Sequence, residues 1–559
     1  MSATPVSAGT TETRRERFQV AVLGAGLAGT TLATVLARHG VDVVIIDAGV
    51  HPRFAVGEST IPYTSAMIRV VGERYNVPEL KLLSSFKSVR QNVGSSVGKK
   101  SNFGFVMHHE GRRQDPEEIS QFVIPKVLQT ETHLFRQDSD AWVFNLALEY
   151  GAKARLNTRV VDIEVVPDRG VKLGLEKGGE IHAKYLVDAS GPASPVARIL
   201  GLRDKPARAM HNSHGGFGHM VNVKPFDETP AGKRTKPVKP WHSGTLHHMF
   251  DGGWLWVIPF NNHKTATNHL VSIGYSLDPE KFPIEEGKTG GDYLKDIIDR
   301  YPDLQPQFRD AVDARPWIWA PRIQHSSHNI VGDRYCLTAH AASFIDPLFS
   351  RGLTGTFEFV NALAWRIIDA ARTDDWSTER FRYLEALESG LFDTHDTIVH
   401  SAFKSWPSYE MWNAVFRVWA AGMVMGTLDV EKAYFDYVKV RDDGIFRELE
   451  NAKYPGAAFA TSEHYHELTS ATLENVLAAR RGEISESAAA KAIFDRVREA
   501  DYLPPSFGFA DASSKFLHPT PPKMAKAVKW SKHEAPQEAG ERGRGALGGF
   551  IRERVHGGI

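Results

Sequence analysis

The sequence predicts an α/β protein: a Rossmann-like dinucleotide-binding fold with an inserted β-rich region and a helical C-terminal domain. Three observations carry that prediction. Residues 18–58 run strand, glycine-rich turn, helix, strand, acid. A second apolar strand, far downstream, ends in the tight turn Asp188-Ala189-Ser190-Gly191. From Thr356 onward the chain carries apolar residues at helical spacing almost throughout.

In the first of these stretches, residues 18–23 form a short apolar run. Gly24-Ala25-Gly26-Leu27-Ala28-Gly29 follows as G-x-G-x-x-G, and Leu27, Leu32, Val35 and Leu36 continue at helical spacing. Residues 41–46 are a second apolar run closed by Asp47. Gly24 makes the tight turn, Gly26 lets backbone approach a pyrophosphate, and Gly29 lets helix pack on strand. The helix N-terminus offers free N–H groups and a positive dipole to phosphate. Asp47 stands where a carboxylate accepts from ribose hydroxyls.

The chain is 559 residues long, too long for one core, so two or three packed domains are expected. Lys+Arg and Asp+Glu are equal at 67 each, which points away from nucleic acid and anionic membrane. Cys336 is the single cysteine, which excludes intramolecular disulfides and a cysteine metal site and fits a reducing cytoplasm. Residues 1–16 have no apolar core of a signal peptide and read as a disordered tail. No stretch approaches the length of a membrane span.

The FAD-binding part is expected over 17–204, with an insertion at 80–130, and again over 331–372. In the loop after Asp47, Arg53 suits a phosphate and Glu58 a sugar or flavin edge. The alternative is a helix start, with Ser59-Thr60 as the cap before an amphipathic 61–75. In the insertion, Lys99 and Lys100 precede an aromatic strand, Phe103-Gly104-Phe105; one of them could line a pocket, but from the residues alone a solvated lysine pair is the better reading. Residues 110–130 are polar and read as surface loop. A helix from Arg136 to about Tyr150 follows, with Asp138 as a candidate N-cap; Arg136 there is a phosphate clamp or an ion-pair partner. Residues 155–187 alternate like antiparallel strands. Their placement before the Asp188 turn is typical of FAD folds rather than NAD dehydrogenases, and no second G-x-G-x-x-G follows an apolar strand.

Residues 205–330 are rich in His, Pro and aromatics and read as a β-rich substrate region. Trp254 and Trp256 fall on one strand face, which by itself describes two core tryptophans. His247, His248 and His263 lack the carboxylate or cysteine partners of a metal site, so no metal is expected. Ser350-Arg351-Gly352 leads into a helix from Leu353, a junction whose N–H groups suit an anion or a flavin edge. Helical runs are expected within 373–531, and 532–559 reads as a disordered tail.

Trp254-x-Trp256-x-Ile258-Pro259, together with the N-terminal G-x-G-x-x-G and Phe344-Ile345-Asp346-Pro347-Leu348-Phe349-Ser350-Arg351-Gly352 downstream, resembles the FAD-dependent halogenases over about residues 18–530. The resemblance is to the branch acting on phenols and aromatic polyketides, in secondary metabolism such as antibiotic biosynthesis. It implies the FAD-binding fold of the GR2 or PHBH-like monooxygenase type. It also implies reduced FAD, dioxygen and chloride or bromide as reactants, and a separate NAD(P)H-dependent flavin reductase. The family's K-x-x-x-x-F pattern fits Lys100 to Phe105 and misses Lys99 by one, which makes Lys100 the catalytic residue. Ser350, Arg351 and Gly352 match the halide loop, and Trp254, Trp256, Ile258 and Pro259 the tunnel strand. Asp188, Ser59, Asp346, Gly352 and Leu353 join Gly24, Ala25, Gly26, Ala28, Gly29, Asp47, Arg53, Glu58 and Arg136 as cofactor-binding residues.

Two departures stand out. Tryptophan halogenases carry Glu where this chain has Phe349, and the Gly-Asp of many FAD monooxygenases is replaced near Ala339-His340. The implied chemistry is a flavin C4a-hydroperoxide that yields hypohalous acid, relayed past the tryptophans to Lys100. His108 or His109 is a candidate base. The rival readings are a flavin aromatic hydroxylase and a non-catalytic flavin-binding protein.

Overall fold

Arg15–Leu23 is the middle strand of a mostly parallel sheet, flanked by Glu180–Asp188 on one side and Val43–Ile46 on the other. Tyr335–Leu337 extends the sheet beyond Glu180–Asp188, and Lys153–Arg155 extends it beyond Val43–Ile46, all parallel. Val20, Ala21, Val22 and Val43–Ile46 are buried on both faces, as strands covered by helices on each side must be. The computed structural model describes residues 15–125, 129–167 and 169–555. The first strand opens at Arg15, inside the stretch 1–16 read as a tail; residues 1–14 lie outside the described residues. Residues 155–187 are only partly the antiparallel set expected. Val160–Val166 and Gly170–Leu175 form that meander, whereas Lys153–Arg155 joins the parallel edge.

The second sheet has nine strands and crosses the expected domain lines. Its order runs Val312–Asp313, His214–Val221, Val271–Leu277, Gly253–Pro259, Thr245–Phe250, Asn102–Met107, Ile119–Val123 and Phe516–Leu517, with Ile318–Ala320 beside His214–Val221. The insertion at 80–130 therefore supplies two of its strands and the C-terminal region one. Ile119–Val123 corrects the reading of 110–130 as surface loop: all five residues are buried. Gly253–Pro259 divides two cores by alternation. Trp254, Trp256 and Ile258 face the main core, and Leu255 and Val257 face the core behind the sheet.

The C-terminal region is helical, with Gly352–Thr373, Tyr383–Ser405, Tyr409–Val440, Glu463–Arg480 and Glu486–Glu499 as its longer helices. Residues 532–559 differ from the disordered tail expected. They contain the helix Gln537–Val555, which buries Ala546 and Phe550, sets Phe550 edge-on to Phe435 at 5.4 Å and pairs Arg542 with Asp429. Three apolar residues at 539, 546 and 550 suffice to seat a glycine- and arginine-rich helix on a large apolar neighbour. Among the described residues no helix is long and apolar enough to cross a membrane.

Candidate functional site

The glycine-rich turn separates its three glycines by task. Gly24 has φ +101°, a left-handed conformation, and a Cβ there would lie 2.6 Å from the Ala189 carbonyl oxygen. The turns ending the two neighbouring parallel strands therefore touch at Gly24 and Ala189. A Cβ on Gly29 would collide with the Gly24 carbonyl, which fixes how closely the helix Leu27–Arg38 approaches its strand. Gly26 is different: a Cβ there meets only Arg53 Nη2, at 3.6 Å. Gly26 also begins the helix with no side-chain cap and no acid in the first turn. Space beside uncapped N–H groups is what a pyrophosphate needs.

Asp47 accepts from the Ala25 N–H at 2.6 Å and the Gly49 N–H at 2.7 Å, and pairs with Arg53 Nη1 at 2.7 Å. This ties both ends of the nucleotide turn together. Arg53 thus sits at the mouth of the open Gly26 space with its charge shared with Asp47. Ala28 lies inside the first turn of the helix.

Several side chains expected to be cofactor ligands have protein partners. Glu58 is buried against His219, with its Oε1 2.7 Å from Nε2. Arg136 donates to both Asp140 oxygens, at 2.7 and 2.9 Å, and to the carbonyls of Val56 and Gly57. It therefore braces the loop that carries Glu58. Asp138 does not cap this helix: Phe135 is the N-cap, and Asp138 accepts from Ser96. Asp188 accepts from the Ser190 N–H and hydroxyl, the Ser194 hydroxyl and the Val196 N–H. Burial pushes its carboxyl up, and these donors hold it down. Asp346 accepts from Trp254 Nε1 at 3.2 Å, Ser276 Oγ at 2.6 Å and the Leu348 N–H. It thereby fastens the strands Gly253–Pro259 and Val271–Leu277 to the turn at 348–350.

That turn is strained. Phe349 (φ 69°) and Ser350 (φ 55°) both adopt left-handed backbone, rare for residues with a Cβ. Gly352 and Leu353 open the helix Gly352–Thr373 with no side-chain cap, and His340 Nε2 lies where a Gly352 Cβ would approach to 2.9 Å. Arg351 turns away to the Gly456 carbonyl, at 2.8 Å, and towards Glu358. Burial, then the charges of His325 and Arg136, push His340 down to about 4, so a neutral ring faces the turn. Ala339 has φ 44°, a left-handed conformation, next to His340. Phe349 stacks on Trp419 with centroids 4.8 Å apart.

Lys100 ends the strand Gly98–Lys100, which pairs with Glu131–His133. Alternation sends Lys100 into the interior and leaves Lys99 half-buried, its backbone held by Asn262. Lys100 is 0% exposed. Its Nζ donates to Ser59 Oγ at 2.6 Å and lies 3.4 Å from the centroid of the Phe103 ring. Burial drives the amine well below the ordinary lysine range, with Glu131 acting the other way. Ser59-Thr60 is not the expected helix cap. Pro62 opens the helix Pro62–Arg74, which has no side-chain cap, and Ser59 instead bridges Lys100 and Thr245. Aromatic rings continue from Phe103: Phe105 stacks on His247 at 4.5 Å, His247 meets Trp254 at 5.4 Å, and Trp254 meets Trp256 at 5.4 Å. Ile258 and Pro259 finish this strand, the Pro259 carbonyl bonding His133.

The histidines do not converge. His247 faces this aromatic row, His248 faces His108 and Gln307 behind the sheet, and His263 holds the Val97 carbonyl. Among the described residues no group of His, Cys, Asp or Glu is arranged to hold a metal. His108 lies on the opposite face from Phe103 and Phe105, and His109 pairs with Glu118 near the surface, so neither reaches Lys100.

Comparison with known proteins now decides the family. A FAD binding domain matches residues 17–53. The tetracycline 7-halogenase of Kitasatospora aureofaciens is 43% identical over 93% of this chain and 94% of its own. The monodechloroaminopyrrolnitrin halogenase PrnC of Pseudomonas fluorescens is 41% identical over 88% of this chain and 86% of its own. The halogenase PltM, in complex with phloroglucinol and FAD, superimposes with a TM-score of 0.86 at 34% identity, covering 89% of this chain and 99% of that one. The chain belongs to the flavin-dependent halogenase family.

This halogenase uses FAD, and the residues present fit it. The fit rests on the open space at Gly26, the uncapped helix N-terminus and the Gly24–Ala189 contact that shapes the turn. Sequence reasoning missed Glu131, His133 and His219, the three groups closest in role to Lys100 and Glu58. Only strand register sets Glu131 opposite Lys100, and His219 reaches Glu58 from 161 residues away.

Proposed function

We propose that this halogenase installs chlorine or bromine on an electron-rich phenolic or aromatic polyketide, with Lys100 presenting the halogen. The observation that carries the reading is the buried Lys100 nitrogen, held between a hydroxyl and an aromatic face at the end of the tryptophan row. Two relatives support it: one is named a tetracycline 7-halogenase, and another is solved in complex with phloroglucinol.

When bound, reduced FAD supplies dioxygen activation and, with halide, hypohalous acid. Gly24, Ala25, Gly26, Ala28 and Gly29 would hold the pyrophosphate, with Asp47 and Arg53 beside it. The backbone at Asp188, Asp346, Gly352 and Leu353, and the loop braced by Glu58 and Arg136, would line the rest. The Ser350–Gly352 backbone would hold the halide.

At Lys100 the ammonium donates a hydrogen bond to the oxygen of hypohalous acid, which leaves as water when the ring carbon takes the halogen. Alternatively the amine displaces water from hypohalous acid, and the ring carbon then takes halogen from the chloramine and returns the amine. A phenol oxygen supplies the electron density in either case, so Phe349 need not be a carboxylate. An apolar cavity reaches Phe122, the cross-strand partner of Phe103, and is lined by Pro62, Met423, Leu428, Phe507, Phe509 and Trp530. It suits a flat aromatic acceptor.

A separate reductase is part of this reading, as is a cytoplasmic location, where the lone buried thiol of Cys336 stays reduced. The test is mass spectrometry of a phenol library incubated with the protein, FAD, a flavin reductase, NADH and halide. Halogenated products support the reading; hydroxylated products alone reject it.

A further inference from the structure

Lys100 has a buried neighbour that the reaction as described does not use. Strand pairing sets Glu131 directly across from it, and the two are 1% and 0% exposed. The Glu131 carboxylate sits in a made place. Its Oε2 accepts from Thr60 Oγ1 at 2.6 Å and from Ser65 Oγ at 2.7 Å. Two hydroxyl donors aimed at one oxygen favour the ionised form. The direct contacts of Lys100, Ser59 and the Phe103 ring, carry no formal charge. The other ionisable groups around it are accounted for. His133 and His247 are pushed down to about 3 by burial and stay neutral, and Arg69 is engaged with Glu431.

We propose that Glu131 is a positioning residue that sets the protonation state of Lys100, acting as the buried countercharge on the far strand. The proposal rests on the reading of Lys100 as the residue that presents the halogen. An ammonium enclosed by apolar rings and one hydroxyl loses its proton unless an anion stands near. Burial lowers Lys100, and the Glu131 charge is what acts against it; burial raises Glu131 in turn, and Thr60, Ser65 and Lys100 act against that.

Glu131→Gln keeps the size and the acceptor oxygen and removes the charge. Lys100 then becomes an amine at lower pH. The change is read in the flavin-free protein, by site-resolved mass spectrometry of Lys100 carbamylation with cyanate across pH, with Lys99 as internal control. Only the amine reacts, and comparison with the native protein at each pH cancels the titration of the reagent. The Lys100 midpoint is expected to fall by about one pH unit or more, a tenfold rise in amine at a given pH. The Lys100-dependent limb of the halogenation profile should move the same way, whichever form delivers halogen. Glu131→Asp should restore most of the native midpoint, and Thr60→Val, which removes a donor to the carboxylate, should lower it partway.

Coincident labelling curves for native and Glu131→Gln overturn the proposal. If Glu131→Gln does not fold, coincident curves for Thr60→Val and native overturn it equally. Native halogenation by Lys100→Ala would remove the underlying reading instead. Loss of halogenation in Lys100→Ala with unmoved Glu131→Gln curves removes only the role of Glu131.

Discussion

The Lys100 nitrogen stands 3.4 Å from the centroid of the Phe103 ring, while the adjacent Lys99 side chain lies on the other side of the strand, half-exposed. One lysine of the pair is thereby enclosed among aromatics. Lys100→Ala should lose at least about 100-fold in halogenated product, since it removes the group on which the transfer depends. Oxygen should still be consumed at the native rate. Lys100→Arg should fail as well, because guanidinium is bulkier and does not deprotonate. Lys99→Ala should stay near native. Product per oxygen consumed is the measurement, and a dead Lys99→Ala beside an active Lys100→Ala would reverse the register.

Gly26 and Gly29 should fail in different ways. A side chain at Gly26 meets open space, so Gly26→Val should fold and melt near the native temperature while losing FAD affinity by at least about tenfold, through blocked approach of the pyrophosphate. A side chain at Gly29 meets the Gly24 carbonyl, so Gly29→Val should lose roughly 1–3 kcal/mol or more of stability. FAD titration and thermal melts separate the two. Native FAD affinity in Gly26→Val would move the cofactor elsewhere.

Much of this was legible in the sequence because short-range pattern dictates it. The turn at Gly24–Gly29, the alternation of Trp254 and Trp256, and the helix periods after Thr356 each lie within a single element. What was not legible depends on register between distant segments. Lys100 faces Glu131 only because two three-residue strands pair as they do. Asp346 has the residue type of a ligand, yet Trp254 and Ser276, which donate to it, lie on distant strands that spacing does not reveal; Arg136, by contrast, takes the ion-pair alternative with Asp140, four residues on. The helix Gln537–Val555 was hidden by its composition. Glycine and arginine suggest disorder, and it is packing on Tyr409–Val440 and Pro521–His533, with Arg542 on Asp429 and Arg544 on the Ser531 carbonyl, that holds the helix in place.

The bound flavin should not be reduced efficiently by NADH or NADPH alone. Only the G-x-G-x-x-G at Gly24–Gly29 joins a strand to a helix; the other, Gly543–Gly548, lies inside the helix Gln537–Val555, so no second nucleotide turn is on offer. Stopped-flow mixing of the FAD-loaded protein with either nucleotide should leave the oxidised flavin absorbance nearly unchanged. Rapid bleaching without a reductase would reject this.

Stability should fall in mild acid. His133, His247 and His248 are pushed down to about 3, chiefly by burial, and so are neutral in the folded protein. In the unfolded chain they titrate near about 6.5. The unfolded state therefore binds protons that the native state refuses. This part of the stability is complete above about pH 6.5 and is lost as pH drops toward 3, at up to about 1.4 kcal/mol per pH unit per histidine. Urea midpoints should fall steadily from about pH 6.5 to about pH 5. Unchanged midpoints over that range would contradict it.

The nine-stranded sheet has a consequence for how the protein is made. Gln121 and Phe122 pair with Phe516 and Leu517, so the edge of Ile119–Val123 waits for a partner that leaves the ribosome 395 residues later. Until then the edge of a strand whose five residues are all buried in the finished fold stands open, the feature that invites strand-to-strand association between nascent chains. Fast overproduction should therefore yield insoluble material from an otherwise sound sequence. Slower translation at low temperature, or a chaperone that shields the edge, should recover it, and a chain stopped before Lys515 should not be rescued by either.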